Sequence, residues 1–187
     1  MSVRRLVGVA AAVLGVVALV PAAALGGPIG RQHPIRGTAV RVTVLNYSNT
    51  NDITGTIFGY GHLTYLGKYT FVGHFTSFVI TGPTTFTDTS VGTLTGRHGK
   101  KLFESSAASG TFSTTTSNGM TIVTGYTLTS NIATITGGTG RFAHAKGTWN
   151  TASGPPIPAP GGGGTLYNQN GTLVSSGAGW VAGTITF

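Results

Sequence analysis

The sequence predicts an all-β protein whose strands curl into a small closed barrel, and three observations lead to this prediction. Residues 38–47 place Val40, Val42 and Val44 between polar neighbours, the two-residue period of a strand whose valine face is dry. Beyond the N-terminal segment, no stretch has the 3.6-residue apolar period of a helix. Glycine recurs inside the predicted strands, where it costs stability unless a bulge, a corner or tight coiling requires it.

The recurring glycine belongs to a unit of glycine, threonine and an apolar residue. A flat sheet would not need so many strand glycines, so the unit favours the tight coiling of a small barrel. Its irregular spacing excludes a solenoid repeat. The units begin at Gly55, Gly92, Gly110, Gly147, Gly164, Gly171 and Gly183.

The first 26 residues have the pattern of an export signal. Arg4 and Arg5 precede an apolar run over residues 6–20, and Pro21 with three alanines supplies the break and the small residues that a signal peptidase needs. The run is shorter than the ~20 residues that span a bilayer. We therefore expect cleavage after Ala24 or Gly26, a secreted or cell-envelope location, and no stable membrane anchor afterwards.

One domain is expected after the signal. Residues 27–37 are punctuated by Gly and Pro and predict a flexible arm, so the β-barrel domain is expected to span residues 38–187. The Pro- and Gly-rich segment 153–164 has the composition of a linker. The residues between this segment and the C-terminus are too few to form a core of their own, so the segment is predicted to be an internal loop.

The strands are predicted from the positions of the turn residues. After a polar turn at 46–52, a β-rich run covers 53–80 with its reversal expected at Gly67-Lys68. The last β-like run ends the chain and is well placed to close the sheet. The remaining predicted strands are 85–95, 100–112, 121–130, two around the corner at 132–149, 165–174 and 179–187, with a polar loop at 113–119.

Charged residues are few, and most of them are positive. Without Arg4 and Arg5, nine of the 11 Lys and Arg residues remain against 3 Asp and Glu, a net charge of +6. A basic cluster, Arg97-His98-Gly99-Lys100-Lys101, lies on a predicted turn. It is interpreted as a solvated hairpin tip that blunts a sheet edge, with attraction to anionic envelope polymers as the alternative. Nucleic acid is not an expected partner of an exported protein.

Few residues have the pattern of a catalytic or metal site. The five histidines show no metal-ligand spacing, although His62 and His74 would approach each other if the chain reverses at Gly67-Lys68. No metal and no cofactor are predicted. Glu104 is the one acid that we consider for acid-base work, the alternative being a carboxylate on the outer face. No Gly-x-Ser-x-Gly elbow precedes a helix, so the sequence leans against an enzyme.

Aromatic side chains are numerous enough to line a barrel mouth. An eight-stranded barrel either fills its interior with side chains or holds one small ligand. The sequence leaves both outcomes open. The candidate ligand-binding residues are Tyr60, His62, Tyr65, Glu104 and Trp149.

A glycine-dense corner carries the most specific motif. Gly137-Gly138-Thr139-Gly140 leads into a further strand, so it lacks the helix N-terminus of a phosphate-binding loop. With Phe142, Ala145 and Gly147 it resembles the Gly-Gly-Thr-Gly-x-Phe-x-x-Ala-x-Gly signature of the allene oxide cyclase and dirigent-like barrel superfamily. The stretch 61–70 is similar to one in small secreted bacterial members, with Tyr65 in place of their histidine, and 97–103 is similar to one of their hairpins.

The resemblance implies an eight-stranded antiparallel barrel with an apolar cavity and no cofactor, often assembled as a homo-oligomer. No position matches the acidic and arginine cavity residues of the plant relatives, so no activity transfers. We expect a secreted barrel of undefined activity that binds a small apolar ligand. The alternatives are a non-catalytic envelope or surface protein, and then a cofactor-independent cyclase-like enzyme. Residues 164–169 also resemble a strand of avidin-type proteins, whose four-tryptophan pocket Trp149 and Trp180 cannot form.

Overall fold

A computed structural model describes residues 30–49, 52–117, 120–151, 167–169 and 172–187. The predicted signal at 1–26 and internal loop at 153–164 lie outside these residues. The described chain is almost entirely β, with two single-turn 3-10 helices at Arg97–Gly99 and Gly140–Phe142. Its strands are β1 (His33–Asn49), β2 (Asp52–Leu63), β3 (Gly67–Gly82), β4 (Thr85–Gly96), β5 (Lys101–Ser117), β6 (Met120–Gly138), β7 (Lys146–Asn150), β8 (Tyr167–Gln169) and β9 (Thr172–Thr186).

The strands form a closed antiparallel barrel. Each strand from β1 to β7 pairs with the next, β7 pairs with β9, and β9 returns to pair with β1 over most of its length. The ring therefore contains eight strands, and short β8 adds to the edge of β9. The predicted all-β, eight-stranded antiparallel barrel is confirmed, and the last strand closes it as expected.

Strand boundaries depart from the sequence pattern where a distant partner strand decides them. β1 begins at His33, five residues before the expected Thr38, because Ile35 and Gly37 pair with Gly183 and Val181 of β9. β5 and β6 run on to Ser117 and Met120, so most of the expected polar loop at 113–119 is strand. The described part of the expected 165–187 region is short β8 and one continuous strand, β9.

The orientation expected for β1 is wrong. Arg41 and Thr43 face the barrel interior with Ile35, Ala39 and Leu45, while the valines between them face outward. Alternation alone fixes which residues share a face but not which face is inside. The buried Ile35 and Leu45 at the two ends of the strand decide that the face carrying Arg41 points inward.

The hairpin between β2 and β3 turns slightly earlier than expected. The chain reverses at Thr64, Tyr65 and Leu66, and Leu63 pairs with Gly67. This register places His62 opposite Lys68 and His74 opposite Thr56. The two histidines are therefore about 20 Å apart along the sheet and do not meet across the hairpin.

The strand glycines mark places of very close approach, which supports the tight coiling inferred from the repeated unit. A Cβ at Gly92 would lie 2.3 Å from the ring of Phe71, and one at Gly183 would lie 2.0 Å from the carbonyl oxygen of Thr148. The five described glycines of the unit, Gly55, Gly92, Gly110, Gly147 and Gly183, all lack room for a Cβ.

The glycine-dense corner plugs one end of the barrel. After β6 ends, Gly140 adopts φ 58° and opens a turn that folds back over the barrel end. Phe142 and Ala145 of this turn are fully buried in the larger of two apolar clusters. The motif thus serves packing, as its assignment to a corner predicts. We call this the plugged end, and the opposite end, where the smaller cluster of Leu45, Phe78 and Phe86 lies, the distal end.

In the distal half of the barrel, the described parts of β6 and β9 are not joined by strand pairing. β7 is only five residues long and bridges β6 and β9 near the plugged end, at residues 132–135 and 182–186. Towards the distal end, residues 120–131 of β6 and 175–181 of β9 have no strand pairing between them in the described chain. We call these facing parts of β6 and β9 the unpaired edges.

Candidate functional site

A belt of polar side chains crosses the barrel interior between the two apolar clusters. Its members alternate with outward-facing residues on five strands, so each faces the interior through ordinary strand geometry. All are buried except Arg41, which is partly exposed. The polar belt consists of Arg41, Asp88, Ser90, Glu104, Ser106, Asn131 and Ser175.

An ion pair spans the interior. Nη2 of Arg41 on β1 lies 3.0 Å from Oε1 of Glu104 on β5, and these strands stand on opposite sides of the eight-stranded ring. Glu104 is only 2% exposed, and the guanidinium also lies 4.6 Å from the ring centroid of Phe71. A cation over an aromatic face is attracted by the ring quadrupole, so Phe71 helps to hold Arg41 inside.

Burial governs the protonation of two groups in this region. Burial raises the pKa of Glu104 above its ordinary value of 4.5, and the Arg41 charge and hydrogen bond lower it by less. Burial likewise raises the pKa of Tyr69 to about 12, opposed by Arg41 and aided by Glu104. The Tyr69 hydroxyl therefore keeps its proton, which it donates to the carbonyl oxygen of Thr38 at 3.2 Å.

Three buried polar atoms in or beside the belt have no hydrogen-bond partner within the described chain. They are Oε2 of Glu104, Oδ1 of Asn131 and Nε1 of Trp149. By contrast, Ser90 and Ser106 satisfy each other at 2.7 Å. A buried polar atom without a partner costs about 1–3 kcal/mol, so a water or a ligand group is expected at these atoms.

Two interior positions on β9 carry no side chain. Gly177 pairs with Arg41 and Gly179 with Ala39, so both glycines face the interior. A Cβ at either position would have no heavy atom of the described residues within 4 Å. Both glycines lie in the stretch of β9 that has no strand pairing with β6 in the described chain.

The structure separates the five residues proposed from the sequence. Glu104 and Trp149 lie inside the barrel, and both carry one of the unpartnered atoms. Tyr60 and His62 are exposed on the outer wall, with Tyr60 at 51%. Tyr65 lies in the turn at the plugged end, where its ring contacts those of His33 and Phe187. A ligand in the interior would meet only the first two.

Sequence reasoning proposed only Glu104 of the seven belt residues. It missed Arg41, Asp88, Ser90, Ser106, Asn131 and Ser175. The barrel contains many polar residues, and nothing in a single strand distinguishes those that face inward. The available signal was the spacing of Arg41 from Ile35, Ala39 and Leu45, which places all four on one face of β1.

Within the described residues, no group of three or more His, Cys, Asp or Glu side chains could hold a metal ion. None of the helices there has the length and hydrophobicity that a membrane span requires. Comparison of the chain with protein-family models, curated proteins and solved structures finds no match. None of these comparisons identifies the allene oxide cyclase and dirigent-like superfamily, so the resemblance is one of sequence motifs alone.

Proposed function

We propose that this protein is a secreted barrel of the allene oxide cyclase and dirigent-like type that binds one small molecule in its interior. The observation that carries the proposal is the set of buried atoms on Glu104, Asn131 and Trp149 that have no partner among the described residues. The room for a Cβ among the described residues at the interior positions Gly177 and Gly179 adds to it. A barrel filled for stability alone would be expected to satisfy or exclude such atoms.

The chemistry of these atoms narrows the ligand. Oδ1 of Asn131 and Oε2 of the Glu104 carboxylate each accept a hydrogen bond, and Nε1 of Trp149 donates one. The larger apolar cluster lies directly below the belt towards the plugged end. We therefore expect a mainly apolar molecule with at least one hydrogen-bonding group, rather than a pure hydrocarbon.

Binding is tested with N-phenyl-1-naphthylamine, a neutral probe whose fluorescence rises in apolar surroundings and which carries one N–H donor. We expect saturable binding at micromolar protein. Gly177→Leu is expected to weaken it at least tenfold, because the new side chain enters the interior space. Ala178→Leu, the next residue on the same strand, faces outward and is the matched control. Trp149→Ala is also expected to weaken binding.

Two outcomes contradict the proposal. One is probe fluorescence that stays unchanged at high micromolar protein, which favours a filled core and a non-catalytic envelope or surface role. The other is equal loss of binding in Gly177→Leu and Ala178→Leu, which places the probe outside the barrel.

A further inference from the structure

The fold gathers the exposed positive charge of the described chain at the plugged end. Arg31 and Arg36 lie at the start of β1, and the carbonyl of Arg36 accepts a hydrogen bond from Thr64 in the β2–β3 turn. Lys68 lies at the start of β3. Arg97, Lys100 and Lys101 surround the β4–β5 turn at the same end.

The glycine-dense corner and the start of β7 add two more cations at the plugged end. Arg141 lies in the turn over the barrel end, and Lys146 begins β7. The described chain contains nine Lys and Arg residues, and all but the interior Arg41 are exposed at or within a few residues of this end. We call these eight side chains the basic end.

Nothing at the plugged end offsets this charge among the described side chains. Two of the chain's 3 acids, Asp88 and Glu104, are buried inside the barrel. The third, Asp52, begins β2 at the distal end. The sequence has no Lys or Arg in the stretches that connect β1 to β2, β3 to β4, β5 to β6 and β8 to β9. The side-chain charges of the described residues are therefore strongly polarised along the barrel axis, and no Asp or Glu side chain among them lies beside the cations of the basic end.

The cations surround the barrel end instead of forming one line across it. They come from β1, β3, the β4–β5 turn, the corner and β7, which lie on different sides of the ring. A linear polyanion crossing the end would contact only some of them, whereas a flat anionic surface contacts all of them together. Phe187, 38% exposed, adds an aromatic ring at the same end and stacks on His33.

We propose that the basic end docks on the headgroup layer of a bilayer that contains anionic phospholipid. The barrel then stands upright on the membrane, with the unpaired edges away from the surface. Such docking is electrostatic and reversible, since basic side chains near an anionic leaflet are attracted over a Debye length of about 8–10 Å. This inference does not depend on a ligand in the barrel.

Co-sedimentation of the purified protein with vesicles tests the inference. We expect binding to phosphatidylcholine vesicles that contain about 30% phosphatidylglycerol, and at least tenfold weaker binding to pure phosphatidylcholine vesicles. Raising NaCl from about 0.05 M to about 0.5 M should release the protein, because salt screens exposed charges. The triple variant Arg97→Gln, Lys100→Gln, Lys101→Gln should bind at least tenfold more weakly while keeping the wild-type circular dichroism spectrum.

A charge-relocation variant provides the matched control. It combines the triple variant with Thr84→Lys, Thr87→Lys and Thr111→Lys, three exposed positions near the distal end. The net charge is restored, but on the wrong end, so binding should stay weak. Full recovery of binding would show that net charge alone matters and would overturn the inference. So would failure to bind anionic vesicles at low salt, including the case in which heparin or DNA is bound instead.

Discussion

Replacing Arg41 with methionine is expected to lower the free energy of unfolding at neutral pH by about 3 kcal/mol. Methionine keeps most of the side-chain length but leaves Glu104 buried opposite an apolar group. Removing one partner of a buried ion pair costs about 3–5 kcal/mol. The lower end of that range is expected because Glu104 escapes part of the cost by taking up a proton. Urea unfolding followed by circular dichroism measures the change.

The stability lost in the Arg41→Met variant should increase as the pH rises. The folded-state pKa of Glu104 is raised above 4.5, so the folded protein binds the proton more strongly than the unfolded chain does. The stability that this stronger proton binding by Glu104 contributes is full below about pH 4.5 and is lost as the pH rises towards the folded-state pKa. Without Arg41 the folded-state pKa of Glu104 rises further, so the pH range over which the free energy of unfolding falls extends to higher pH. Within that range it falls by about 1.4 kcal/mol per pH unit.

The double variant Arg41→Met, Glu104→Gln is the control for this interpretation. It removes the titrating carboxyl, so the added slope should disappear, and the stability lost at neutral pH should be partly recovered. If the Arg41→Met variant loses the same stability at pH 4 and at pH 8, ionisation of Glu104 is not the cause of the loss.

Gly183→Ala is expected to destabilise the barrel by about 3 kcal/mol, because a new Cβ is forced against neighbouring groups. That Cβ would lie 2.0 Å from the carbonyl oxygen of Thr148 and 2.5 Å from the Cα of Trp149. Both are backbone atoms of β7, so relief requires the strand that bridges β6 and β9 to move. Thermal and urea unfolding both measure the effect.

Gly177→Ala, on the same strand, is the matched control. Its Cβ would also point inward, but no heavy atom of the described residues would lie within 4 Å of it. Replacing glycine with alanine at an unstrained position stabilises a protein by about 0.4–1 kcal/mol through the unfolded chain. Equal destabilisation by the two alanines would contradict the contrast between a tightly closed barrel near β7 and an interior with room for a Cβ beside the unpaired edges.

The fold was predictable from the sequence because its determinants are local and repeated. Period-two alternation, the glycine-threonine units and the corner around Gly140 each constrain a few neighbouring residues, and together they specify short, coiled antiparallel strands. The start of β1 was not predictable in this way, because the partners of Ile35 and Gly37 lie on β9, at the other end of the sequence.

Only part of the candidate site could be predicted from the sequence, because its residues come from strands that are distant in the sequence. Glu104 stood out because acids are scarce, and Trp149 because it comes just after the corner. Arg41 was assigned to the outside, since the valines beside it were expected to form the dry face. Ile35 and Leu45 turn its face of β1 inward, but its partners inside the barrel could not be read from β1. Glu104 comes from the strand on the far side of the ring, and Phe71 comes from the strand next but one. Contacts across a barrel leave no spacing signal in either strand.

The central claim is that the polar belt is an interior site which small molecules reach beside β9. The chain contains no cysteine, so a single Gly177→Cys variant reports on that space alone. We expect a small thiol reagent to label it readily, and N-phenyl-1-naphthylamine to slow the labelling at least tenfold, while labelling of outward-facing Ala178→Cys is unaffected by the probe. Labelling of Gly177→Cys that the probe leaves unchanged at saturation would contradict the claim.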